Sequence, residues 1–129
     1  MIAAIYARKS TEQHGVADDA KSITRQIDGA RRFIAEKGWT LDEAHIYCDD
    51  GVSGALFANR VEFQRMLTDA KADAFGSIVF FDLDRFGRHA HHTMTALHNL
   101  ADISVDVWDF STGVRVNLDS FEGRISTTL

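Results

Sequence analysis

The sequence predicts an α/β fold: a mostly parallel sheet of four to five strands with helices on both faces. Short apolar runs alternate with segments of helical periodicity in the order β-α-β-α-β-α-β, and alternating elements of that kind build a parallel sheet. The third run, Ser77-Ile-Val-Phe-Phe81, is almost wholly apolar, as a central strand covered on both faces requires. A chain of 129 residues, 45% of them apolar and 26% charged, is long enough to bury one ordinary hydrophobic core.

The elements follow in order. Ile2 to Ala7 reads as a buried strand. Arg8 to Lys21 is polar, holds Gly15 and has no periodicity, so it reads as a long loop, and such loops in compact domains are more often functional than not. Ile23, Ile27, Ala30, Phe33 and Ile34 share one helical face, with Ser22 as N-cap and Gly38 as stop. Glu43 to Cys48 makes a second strand that ends at Asp49-Asp50-Gly51. A second loop carries the turn residues Gly51, Ser53 and Gly54. Asn59 with Glu62 resembles a capping box ahead of Phe63, Met66, Leu67 and Ala70 at helical spacing. A third helix over about Ala90 to Ala101 buries Met94, Leu97 and Leu100 or Ala101. Ile103 to Phe110 is a fourth strand, followed by a hairpin around Gly113 to Asn117. We expect residues 1–120 to form the domain and 121–129 to begin a longer helix that is cut short, the chain being a piece of a longer protein.

Composition excludes several function classes. No run approaches the roughly 18 to 20 apolar residues of a membrane span, and Met1 to Tyr6 leads into Arg8-Lys9 without a basic leader ahead of it, so neither a membrane anchor nor a signal peptide is expected. One cysteine, Cys48, excludes a disulfide framework and a Cys-rich zinc site, and fits the cytoplasm. It reads as a small buried apolar residue. A net charge of −5 argues against broad DNA binding by this domain alone. Ten of the fourteen basic residues are nevertheless arginine, whose planar fork grips phosphate bidentately. A local phosphate site remains open.

Ligands of open α/β sheets bind beyond the carboxyl ends of the strands. There the first strand delivers Arg8 and Ser10, the second Asp49 and Asp50, and the third Asp84, Arg85 and Arg88, while Arg60 opens the second helix. A single arginine after a strand ordinarily makes a surface salt bridge. Four at one sheet edge repel each other unless an anion lies between them. A serine hydroxyl that attacks phosphorus, with guanidinium groups neutralising the transition state, suits phosphoryl transfer. There is no P-loop and no G-x-S-x-G, which removes a nucleotide triphosphatase and an esterase.

These residues also resemble a family. Tyr6-Ala-Arg8-Lys-Ser10 is similar to the Y-x-R-x-S motif of the serine recombinases, the resolvase and invertase superfamily. Gln26 falls where that family has a glutamine on its first helix. Asp50-Gly-Val-Ser53-Gly54 resembles its D-x-G-x-S-G turn, Arg60 its helix-opening arginine, and Asp84-Arg85-Phe-Gly-Arg88 its D-R-L-x-R box. The longer spacing from Ser10 to Arg60 is similar to that of the large serine integrases. Val61 stands where the family usually has proline, and Phe86 where it has leucine.

The resemblance implies a resolvase-like catalytic domain for site-specific DNA recombination. Ser10 is the implied nucleophile, forming a 5′-phosphoserine link and freeing a 3′-hydroxyl, with no ATP, metal or other cofactor. Arg8, Arg60, Arg85 and Arg88 are implied to hold the scissile phosphate. Asp84 orients an arginine or handles a proton, and Tyr6, Gln26, Asp50 and Ser53 support the site. The base for Ser10 stays open, with Asp84 more conventional than an arginine. The implied partners are double-stranded DNA and further copies of the complete protein, as homodimer and homotetramer. The resemblance implies that the long helix begun at Phe121 builds the dimer and tetramer and that a separate DNA-reading domain lies outside this chain, so this chain alone is expected to be monomeric or weakly dimeric, to bind DNA poorly and not to recombine. Arg124, on the last segment, is a candidate DNA contact.

Rival readings are a metal-dependent nuclease built on Asp49, Asp50, Asp82 and Asp84 and a non-catalytic module of the same fold. Among His89, His91, His92 and His98, His89 and His92 could share a face at i, i+3 spacing, but no carboxylate follows at a matching interval. Trp39 and Trp108 read as core, and Arg31-Arg32 as a solvated helix face.

Overall fold

The computed structural model describes residues 1–9, 23–50, 60–81 and 91–116. Within them the chain runs β1 (Ile2–Lys9), α1 (Ile23–Lys37), β2 (Thr40–Asp50), α2 (Val61–Lys71), β3 (Ser77–Phe80), α3 (His91–Asp102), β4 (Asp106–Asp109) and β5 (Val114–Arg115). The strands form one sheet in the order β2-β1-β3-β4-β5. β1 pairs in parallel with β2 and β3, and β3 with β4, while β5 returns antiparallel to β4. This is the mostly parallel α/β sheet that the alternation of elements predicts.

Side chains alternate along a strand, so β1 feeds two cores. Ala4 and Tyr6 pack with Phe63 and Met66 of α2 and Leu97 and Leu100 of α3 on one face. Ala3 and Ile5 pack with Ala30 and Ile34 of α1 on the other. Helices therefore cover both faces, as expected. Phe63 and Leu97 are fully buried, each contributing roughly 1.5 to 3 kcal/mol relative to exposure. Trp39 and Trp108 meet edge-to-face at 5.4 Å and pack, half-buried, against the second cluster, so they border the core rather than lie within it.

α1 stops where Gly38 was expected to stop it. Gly38 takes a φ of +74°, its N–H donates to the Ala35 carbonyl, and the Trp39 N–H reaches the Ile34 carbonyl. This paired ending satisfies two otherwise orphaned carbonyls.

Three boundaries differ from expectation. β2 begins at Thr40 rather than Glu43, because its register against β1 jumps from Leu41 opposite Ala3 to Ile46 opposite Ile5. The polar residues between them bulge out of the ladder, with Asp42 accepting the Ala44 N–H. β4 begins at Asp106 rather than Ile103. Ile103 is 43% exposed and Ser104 has a φ of +61°, so both belong to the turn after α3. The capping box at Asn59 and Glu62 is replaced. Asn59 lies outside the described residues, and the Glu62 carboxylate accepts from Arg65 instead.

Successive strands leave β1 in opposite directions, so the topological switch lies between β1 and β3, where α/β sheets bind ligands beyond the strand ends. The last β1–β3 pair is Tyr6 with Phe80. Arg8 and Lys9 therefore carry β1 past its neighbour into that crevice.

Candidate active site

Tyr6 and Arg8, two residues apart on β1, belong to the same face of the sheet, and both are buried. The next strand supplies Asp49, which stands opposite Arg8 in the parallel register and is 4% exposed. The Tyr6 hydroxyl donates to Asp49 Oδ2 at 2.8 Å. The same carboxylate accepts the backbone N–H groups of Glu62 and Phe63, each at 3.0 Å. Asp49 thus caps α2 from a neighbouring strand, satisfying two of its orphan donors and placing negative charge at the positive end of the helix dipole.

Arg60 occupies the N-cap position of α2 and is fully buried. Its Nε donates to the Tyr6 hydroxyl oxygen at 3.2 Å. Its guanidinium lies 4.1 Å from the Phe63 ring centroid and 5.4 Å from that of Tyr6. A buried arginine is tolerated only where its charge is compensated, and here the phenol of Tyr6 bridges it to the Asp49 carboxylate. Burial is the largest influence on Tyr6. Arg60 opposes it and Asp49 reinforces it, and the hydroxyl ends well above its ordinary value of 10.0. Tyr6 is a fixed neutral bridge and not a base.

A second clamp holds β1 from the opposite side of the sheet. Gln26 of α1 is buried. Its Oε1 accepts the Arg8 N–H at 3.2 Å, and its Nε2 donates to the Arg8 carbonyl at 3.1 Å. The side-chain amide takes the place of a neighbouring peptide where β3 has ended.

The family described as Resolvase, N terminal domain, matches residues 3–129. The chain belongs to this resolvase family. Among solved structures, it is similar to the N-terminal catalytic domain of TP901-1 integrase, with 24% identity, a TM-score of 0.77, and 99% of this chain and 92% of that one covered. A resolvase family site-specific recombinase from Streptococcus pneumoniae matches at 21% identity and a TM-score of 0.74, covering 99% and 87% of the two chains. The C-terminal catalytic domain of ISC1926 TnpA, an IS607-like serine recombinase, matches at 18% identity and a TM-score of 0.69, covering 85% and 70%. At these identities the likeness shows the fold. No curated protein matches the chain.

Of the residues singled out from sequence, the resolvase domain brings Tyr6, Arg8, Gln26 and Arg60 to the carboxyl end of β1. Ser10, Ser53, Asp84, Arg85, Arg88 and Arg124 lie outside the described residues, as does the side chain of Asp50. Sequence reasoning placed Asp49 at this sheet edge but gave the supporting role to Asp50, whereas the carboxylate that joins Tyr6 to the start of α2 is that of Asp49. Its signal was present, because D-x-G-x-S-G counted back from Gly54 begins at Asp49. Of the histidines, His89 and the side chains of His91 and His92 lie outside the described residues, and His98 sits 3.8 Å from Asp102 one helical turn away. Cys48 is half-buried rather than buried. No helix among the described residues is long and apolar enough to cross a membrane.

Proposed function

We propose that this domain breaks and rejoins DNA through Ser10. The observation that supports the reading most directly is Arg60, a fully buried guanidinium held by Tyr6 and Phe63 at the switch-point end of β1. Such a group is a preorganised positive charge, and it needs no reorganisation when negative charge develops on a phosphorane. Ser10 follows Arg8 by two residues, just beyond the part of β1 that Gln26 clamps.

The Ser10 Oγ–P bond forms as the P–O3′ bond breaks. The serine proton is lost and the 3′-oxygen gains one, leaving a 5′-phosphoserine ester and a free 3′-hydroxyl. The ester keeps the energy of the broken bond, so the reverse attack by a 3′-hydroxyl rejoins a strand without ATP or metal. Arg8, Arg85 and Arg88 bind the non-bridging oxygens, and Arg60 adds the fixed positive charge of its buried guanidinium to the site. Asp84 orients an arginine or carries the proton, and Asp50 and Ser53 support the turn. Asp49 joins this set as a positioning residue, acting through Tyr6 on Arg60. The complete protein acts on double-stranded DNA in the cytoplasm as a dimer that pairs into a tetramer, with Arg124 as a further DNA contact.

Asp49 already accepts three hydrogen bonds, which leaves it poorly placed to ligate a cation in a metal-dependent nuclease. The deciding experiment incubates the complete protein with DNA from the ends of its genomic neighbourhood in EDTA, quenches in SDS, and seeks a nucleotide on Ser10 by mass spectrometry. An adduct there is the expected result. Cleavage that needs Mg²⁺ and leaves Ser10 bare sinks the reading.

A further inference from the structure

Beside the clamp of Gln26 on Arg8 lies a groove of about 460 Å³, formed by α1 and the residues just past the ends of β3 and β4. Its lining includes Arg25, Asp28 and Arg32 from α1, with Phe81 and Phe110 from the strand ends, and Gln26 borders it. The groove therefore opens on the same sheet edge as the site above.

Its floor is fitted. The Phe81 and Phe110 rings pack at 5.2 Å between centroids. A Cβ on Gly29 would lie 2.5 Å from the Phe110 ring, so only glycine lets that ring seat against the helix. Glycine inside a helix costs about 1 kcal/mol relative to alanine, and here the cost accompanies an aromatic floor.

The walls carry charge unlike the rest of the molecule. The chain has a net charge of −5, yet among the described residues the lining of this groove holds Arg25 and Arg32 with Asp28. Arg25 stands in the first turn of α1, which holds no acidic residue, where a cation opposes the helix dipole. Arg31 is bound bidentately to Glu43 at 2.6 Å. Arg32 beside it makes no ion pair or hydrogen bond with another described residue. Arg25 and Arg32 are seven residues apart, two helical turns on one face, or about 10.5 Å of axial rise.

The geometry points to this groove as the seat of the DNA backbone flanking the scissile phosphate. Arg25 and Arg32 take phosphates of one strand, and the Phe81 and Phe110 rings lie against deoxyribose. The inference rests on the reading of the chain as a DNA-cleaving domain. Phosphate and sugar contacts fix position without reading bases, so the probe is a fluorescein-labelled duplex of arbitrary sequence.

The test titrates this duplex with the chain at several salt concentrations and follows anisotropy. Arg32→Gln and Arg25→Gln are each expected to weaken low-salt binding about 3- to 10-fold and to reduce the slope of log affinity against log salt by about 1. Arg31→Gln on the same helix changes net charge equally, and is expected to stay within about 2-fold because Glu43 already holds that side chain. Equal losses for Arg31→Gln and Arg32→Gln overturn the inference, since they mean diffuse attraction rather than contact. Unchanged duplex binding by Arg32→Gln together with altered sedimentation also overturns it and assigns the groove to a second copy of the chain. A chain that binds no duplex at low salt overturns it as well. None of these results touches the Ser10 adduct, which judges the chemistry separately.

Discussion

Tyr6 carries two relations at once, donating to Asp49 and accepting from Arg60. Tyr6→Phe keeps the ring and its edge contact with Phe63 at 5.1 Å but strips one partner from each of two buried charges. Such a loss costs about 1 to 3 kcal/mol, measurable by urea unfolding. The same residue sets a pH dependence whose sign follows from its raised hydroxyl. Below the ordinary value of 10.0 the group is protonated in folded and unfolded chains alike. Above it the unfolded chain loses the proton while the folded one keeps it, so stability falls as pH rises. The contribution to the slope approaches about 1.4 kcal/mol per pH unit. Titrating stability from pH 9 to 11 (about one unit either side of an unperturbed tyrosine) should show a shallower decline in Tyr6→Phe than in the wild type. Identical slopes would place the Tyr6 hydroxyl in water and dissolve the bridge to Arg60.

At the scale of elements, legibility in the sequence follows the range of the interaction. α1 could be read with its stop because the Gly38 ending is made within six residues of chain, Ile34 to Trp39. The start of α2 could not, because its cap comes from Asp49 on another strand, thirteen residues upstream of Glu62. A local pattern substituted Asn59 and Glu62 for it. Gln26 illustrates the converse. It shares the buried face of Ala30 and Ile34, but apolar periodicity does not notice a polar side chain, and only the family resemblance pointed to it. Val61 gives an element-level test. It begins α2, is 64% exposed, and stands where the family usually has proline. A first-turn N–H has no intrahelical acceptor, and proline presets φ there. Val61→Pro is expected to raise stability by about 0.4 to 1 kcal/mol, chiefly by restricting the unfolded chain. Urea unfolding measures the gain, and a loss instead would mean that Arg60, whose ψ is +63°, cannot accept proline as its successor.

For the whole molecule, the question is which surfaces could join copies of it. The outer strands make poor templates for edge-to-edge pairing. β2 bulges between Leu41 and Ile46, and Glu43 in that bulge is held by Arg31. β5, at the other edge, spans only Val114–Arg115. Short strands, bulges and charge all suppress strand addition. Among the described residues, a groove of about 540 Å³ between α2 and α3 presents an apolar surface, lined by Leu67, Leu100 and Ile103 together with Lys71 and Asp102. Volume alone does not make a dimer, since stable association needs on the order of 1,000 Å² of well-packed surface. The chain is therefore expected to sediment as a monomer at micromolar concentration, with a sedimentation coefficient that does not rise with loading. A concentration-dependent rise that disappears on changing Leu67 to Asp would move self-association onto the α2–α3 face. A rise that Leu67→Asp leaves in place would assign self-association to a surface other than the α2–α3 face.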